Sequence, residues 1–132
     1  MKTALSIAAS VIIAAVGFAV APSASAASGP LAGTWTSVDN DGSNQVLDIS
    51  GSGNRAYSMA YTDDSATSAC GGDPARISGP GFVEGEDLLM VGSIVCLPGG
   101  NGLRERISIY FDYDAGSDTL TDDFGIVWHR AG

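Results

Sequence analysis

The fold class this sequence predicts is all-β: a single antiparallel up-and-down barrel of about seven to eight strands, with a small β-sandwich as the alternative. Three features point to it. Beyond residue 26 the chain is a succession of short runs in which apolar and polar residues alternate, the period of a half-buried strand. Clusters of Gly, Asp, Asn, Ser and Pro cut these runs at close intervals, as hairpin turns require. No stretch keeps helical periodicity long enough to bury a face, so little helix is expected. Strands joined by short turns favour a meander, and closing it removes the unpaired edges of an open sheet.

Leu31 to Val38 is the first run, stopped by Asp39-Asn40-Asp41-Gly42-Ser43, where Asp-Gly signals a hairpin. The second, Asn44 to Ser50, sets Leu47 and Ile49 against Val46 and Asp48, and Gly51-Ser52-Gly53-Asn54 closes it. In the third, Ala56 to Thr62, Tyr57, Met59 and Tyr61 face one way and Ala56, Ser58 and Ala60 the other. Asp63 to Ala75 is the longest irregular stretch and holds Cys70 beside Gly71-Gly72. Arg76 to Val83 and Leu88 to Cys96 form a hairpin around Glu84-Gly85-Glu86-Asp87. Pairing Val83 with Leu88 sets Ala75 opposite Cys96, so a short loop carries Cys70 back to it. After the turn cluster Leu97 to Gly102, Leu103 to Tyr113 is the longest strand. Ile107, Ile109, Phe111 and Tyr113 share one face, and Arg104, Arg106, Ser108, Tyr110 and Asp112 the other. Asp114 to Asp118 turns the chain into Thr119 to Thr121. Phe124 to Arg130 is the last run, with Trp128 on the face of Phe124 and Ile126.

Residues 1–26 stand apart. Lys2 precedes a largely apolar run from Ala4 to Ala21, then Pro22 and Ser23-Ala24-Ser25-Ala26. This is the three-part organisation of a secretory signal, and Ala24-Ser25-Ala26 fits the A-x-A cleavage pattern, placing the mature start at Ala27. A retained membrane anchor is the competing reading, because the run approaches the length of a short transmembrane helix; the small, Pro-interrupted exit argues against it. No Cys follows closely enough for lipid attachment. The expectation is one secreted, extracellular domain over residues 27–132, monomeric and free of the membrane.

Residues 27–132 carry five Arg and no Lys against fifteen Asp and Glu, a net charge of −10. Such a surface repels phosphate backbones and anionic lipid, which excludes nucleic acid and the membrane surface as partners. Cys70 and Cys96 are the only cysteines, and in an exported domain they predict one disulfide. Closing that loop stabilises a small fold by roughly 3–4 kcal/mol.

Leu31-Ala32-Gly33-Thr34-Trp35 resembles the G-x-W opening of the calycins, the lipocalin and avidin-like barrels, whose first-strand Trp plugs the barrel bottom against a last-strand Arg. Trp35 and Arg130 occupy those positions, where a guanidinium stacks on the indole while its donors satisfy backbone carbonyls. The chain also looks like a type of short secreted bacterial domain opening with G-T-W-T-S and ending with D-T-L-T-D and V-W, here Asp118 to Asp122 and Val127-Trp128. The departures limit what the resemblance implies. The lipocalin T-D-Y segment and trailing helix are missing, and two Trp are too few for a biotin site. It implies a fold and the structural pair, with no ligand residue carried over.

Enzyme chemistry finds little to work with. His129 is the one imidazole, and it alternates away from Trp128 toward the surface, so a Ser or Cys nucleophile has no evident base. No lysine remains for a Schiff base. The pairs Asp63-Asp64, Glu84-Glu86 and Asp122-Asp123 sit at turns, where Asp suits the backbone without serving glycoside cleavage. Asp39 and Asp41, with Asp112, Asp114 and Asp118, are weak calcium candidates on turns, but no bidentate Glu completes an EF-hand loop. No cofactor is implied. Two noncovalent roles follow. Tyr57, Met59, Tyr61, Phe111 and Tyr113 line a cavity for a small apolar ligand, or the acidic loops around Asp63, Asp64 and Cys70 form the face of a protein or cell-wall interaction module.

Overall fold

The computed structural model describes residues 29–99 and 105–132. The expected signal and its cleavage site, the end of the turn cluster, and Leu103 and Arg104, with which the longest run is expected to open, lie outside the described residues. Eight strands form a closed barrel: β1 (Gly33–Val38), β2 (Asn44–Ser50), β3 (Ala56–Asp63), β4 (Ala75–Glu84), β5 (Asp87–Cys96), β6 (Glu105–Asp114), β7 (Thr119–Asp122) and β8 (Val127–Arg130). Each strand pairs antiparallel with the next, and β8 returns to β1 through Trp35 opposite Arg130 and Thr36 opposite His129. The architecture is therefore all-β, a single closed antiparallel barrel consistent with a calycin-type fold in general, and the sandwich alternative falls.

Local chemistry explains the register. Gly85, at φ +66, occupies the first position of the two-residue β4–β5 turn, where a II′ hairpin needs glycine. That turn sets Val83 opposite Leu88 and, eight residues up the strand, Ala75 opposite Cys96, the expected register. Cys70 and Cys96 form the disulfide. It pins the β3–β4 connection, which contains a single helical turn, α1 (Thr67–Cys70), that strand periodicity gives no sign of.

Alternation sorts the side chains. Trp35, Leu47, Leu88, Met90, Phe111, Leu120 and Trp128 are fully buried and fill the middle of the barrel. The last run departs from expectation: β8 begins only at Val127, and Phe124, placed with Ile126 and Trp128 by simple alternation, is 65% exposed. The cause is Asp122, whose Oδ1 accepts the Phe124 and Ile126 amides at 2.9 and 3.0 Å and folds the chain into a turn that throws Phe124 outward.

Candidate functional site

The aromatic and methionine stripe does not line one cavity. Tyr57 and Tyr113 border a depression of about 500 Å³ at the end of the barrel where Leu31 and the β4–β5 and β6–β7 turns meet. Met59 and Phe111 lie in the filled middle, 3% and 0% exposed. Tyr61 alone of the five reaches the opposite end, where a cavity of about 350 Å³ opens at the mouth of the barrel.

At the first end, the Arg130 guanidinium lies 4.2 Å from the Trp35 ring centroid and donates to the carbonyls of Ala32 and Pro30 at 2.7 and 3.0 Å. Gly33 makes room for it, since a Cβ there would stand 3.0 Å from Nη1. Arg130 also pairs with Asp118 at 2.9 Å, and the Tyr113 hydroxyl donates to the same carboxylate. These bonds hold the Asp118 carboxyl below the usual carboxylate range, Arg130 first and Tyr113 second. The Arg130 bonds leave Asp118 already occupied. Asp114 Oδ1 accepts the Gly116 and Ser117 amides, Asp39 accepts that of Asn40 and Asp41 that of Ser43. The calcium candidates therefore divide between the two ends, Asp39 and Asp41 at the mouth, Asp112 and Asp114 at the closed end. Among the described residues no group of three His, Cys, Asp or Glu is placed to hold a metal ion.

The mouth is built differently. Ile77, Ile94, Ile107, Ile109 and Ile126 supply its apolar lining. β2 and β3 supply a polar wall. Ser37 Oγ donates to Gln45 Oε1 at 2.7 Å, and Gln45 Nε2 donates to the Tyr61 oxygen at 2.7 Å. Asp63 follows, its Oδ1 accepting Ser43 Oγ and the Ser65 amide at 2.9 and 3.0 Å. Tyr61 also packs against Trp128, with centroids 5.4 Å apart. Burial pushes the Tyr61 phenol well up, and the carboxylates of Asp63, Asp39 and Asp122 push it the same way. Ala66 and Thr67, the latter opening the disulfide-pinned helical turn, complete the lining together with Phe124.

Sequence reasoning does not single out Ser37 or Gln45, and it takes Asp63 only as half of an outward acidic pair, because a polar side chain is ordinarily placed outside. Their parity was legible: Gln45 is in phase with Leu47 and Ile49, and Asp63 with Tyr57, Met59 and Tyr61. Of the acidic pair assigned to an interaction face, only Asp64 points outward, while Asp63 is 6% exposed and turned into the mouth. Asp122 is likewise inward, accepting Trp128 Nε1 at 3.0 Å, and His129 is exposed on the outer face. Among the described residues no helix is long and apolar enough to cross a membrane. Comparison of the chain with protein families, with characterised proteins and with solved structures finds no match.

Proposed function

We propose that this protein is a secreted, non-enzymatic binder that takes a small, largely apolar ligand noncovalently into the mouth of its barrel, in the manner of the calycins it resembles. The observation that carries the reading is the cavity of about 350 Å³ with five isoleucines on its lining and a short polar wall of Gln45, Tyr61 and Asp63. Small-molecule sites are of this kind: concave, mostly apolar, with a few placed polar groups that fix orientation. The filled middle of the barrel supplies a rigid floor, so the site is preformed and little ordering opposes binding.

The test uses the neutral fluorophore N-phenyl-1-naphthylamine, whose emission rises and shifts to the blue in an apolar site. Saturable binding of one probe per chain is expected. Ile107→Trp, which fills the mouth, should weaken it by at least about tenfold at unchanged circular dichroism, as displacement of an apolar ligand from a filled pocket predicts. Glu86→Ala, at the far depression, should leave it unchanged. A titration without saturation, or one indifferent to Ile107→Trp, overturns the reading.

A further inference from the structure

We infer that the mouth selects cations: its ligand is an organic amine whose ammonium group meets Asp63 while its apolar body lies on the isoleucines. The inference rests on the binding reading above and adds the charge of the occupant. Asp63 is buried, and its two oxygens are unequally served. Oδ1 holds Ser43 and Ser65, whereas among the described residues Oδ2 has Gln45 Nε2 as its one hydrogen-bond partner, at a long 3.4 Å, because Gln45 gives its short bond to Tyr61. A carboxylate oxygen withdrawn from water with one long partner is costly, and a hydrogen-bonded cation relieves that cost.

Among the described residues, none supplies that cation. The described residues lining the mouth include Asp39, Asp41 and Asp63 and no Arg, Lys or His. Arg55, Arg76 and Arg106 are exposed on the outer surface, and among the described residues the one ion pair is Arg130 with Asp118, at the other end. The same carboxylates that raise the Tyr61 phenol make the field at the mouth negative. An anionic ligand would enter against that field, while an ammonium is drawn in and also finds the Tyr61 and Phe124 rings beside its path.

The experiment is competition against N-phenyl-1-naphthylamine by three compounds of one shape: 1-naphthylmethylamine, 1-naphthylmethanol and 1-naphthoic acid, at neutral pH. On the unaltered protein the amine should displace the probe at a concentration about tenfold or more below the alcohol, as a charge-assisted bond predicts, with the acid weakest. Asp63→Asn should abolish the gap by weakening the amine while leaving the alcohol unchanged. Asp39→Asn, on the rim, should narrow it without touching the Asp63 bonds. Equal competition by amine and alcohol on the unaltered protein overturns cation selection and leaves the binding reading standing. A gap that survives in folded Asp63→Asn overturns the assignment to Asp63. Failure of the probe itself to bind overturns both.

Discussion

The Arg130 guanidinium stacks over the Trp35 indole at 4.2 Å, directly across the seam where β8 meets β1. That seam is the shortest in the barrel, two residue pairs against eight between β3 and β4. Arg130 reinforces it by bonding the Ala32 and Pro30 carbonyls, and Trp35 Nε1 donates to Leu31 in the same segment. A lysine offers a single nitrogen in place of the planar fork that spans the two carbonyls and Asp118, and it presents no flat face to the ring. Arg130→Lys is therefore expected to cost about 1–3 kcal/mol, the loss of a stacked cation and one or two charge-assisted bonds. Urea denaturation measures it; a change under about 0.5 kcal/mol, typical of a neutral surface substitution, would show that the ladder alone closes the barrel.

Asp118 gives this end a dependence on pH. Its folded-state pKa is depressed from the ordinary 3.8 by Arg130 and Tyr113. The stabilisation is accordingly present above the unfolded value and lost as pH falls through the folded one. The urea midpoint of the unaltered protein should exceed that of Asp118→Asn at pH 7, and the difference should shrink as pH drops below about 4. A difference constant from pH 7 to 3 would contradict the assignment.

The Cys70–Cys96 bond spans 26 residues and fastens α1 to the end of β5. In the chain-entropy account a loop of that length contributes about 3–4 kcal/mol, a large share of a small domain's stability. The double variant Cys70→Ser/Cys96→Ser should lose that amount in equilibrium denaturation. Because Ala66 and Thr67 belong to the mouth and lie in the fastened loop, it should also bind N-phenyl-1-naphthylamine more weakly. A loss below 1 kcal/mol would mean that the loop's backbone bonds, Ala66 to Asp73 and Leu97 to Pro74, already hold it.

Much of this fold was legible because side-chain parity is local. The Glu84-Gly85-Glu86-Asp87 turn sets the β4–β5 register, and the cysteines are brought together by counting from it. Parity says which side a residue faces and nothing about its height along the barrel. Tyr57, Met59 and Tyr61 share a face, as read, yet one lies at each end and one in the packed middle. Polarity also competes with parity. Gln45 and Asp63 are inward despite their polar groups because Gln45 bonds Ser37 and Tyr61 on the neighbouring strands and Asp63 Oδ1 takes Ser43 and Ser65 from the flanking turns, partners that cross-strand register brings within reach. Phe124 failed for a third reason, the capture of its amide by the Asp122 side chain, which no alternation rule contains.

The middle of the β4–β5 hairpin supplies the sharpest test of packing. The ladder runs from Ala75 opposite Cys96 to Ser78 opposite Ser93 and resumes at Gly81 opposite Met90, leaving Gly79-Pro80 and Val91-Gly92 out of it. Pro80 has no N–H to give, and the two strands press together where Gly79 faces Gly92. A Cβ on Gly79 would fall 2.0 Å from the Val91 carbonyl oxygen and 2.7 Å from the Gly92 Cα, both backbone atoms that no rotamer change can move. Accommodating it means separating β4 from β5 while their ends stay fastened by the tight turn and by Cys96. Gly79→Ala should therefore cost about 3 kcal/mol, the upper range for overpacking. Gly53→Ala, where nothing lies within 4 Å of the new Cβ, should stay within about 0.5 kcal/mol. Thermal or urea denaturation of the pair decides it. Equal stability of the two variants would mean that the strands part easily at this point, and that the close approach at Gly79 is incidental to how the barrel closes.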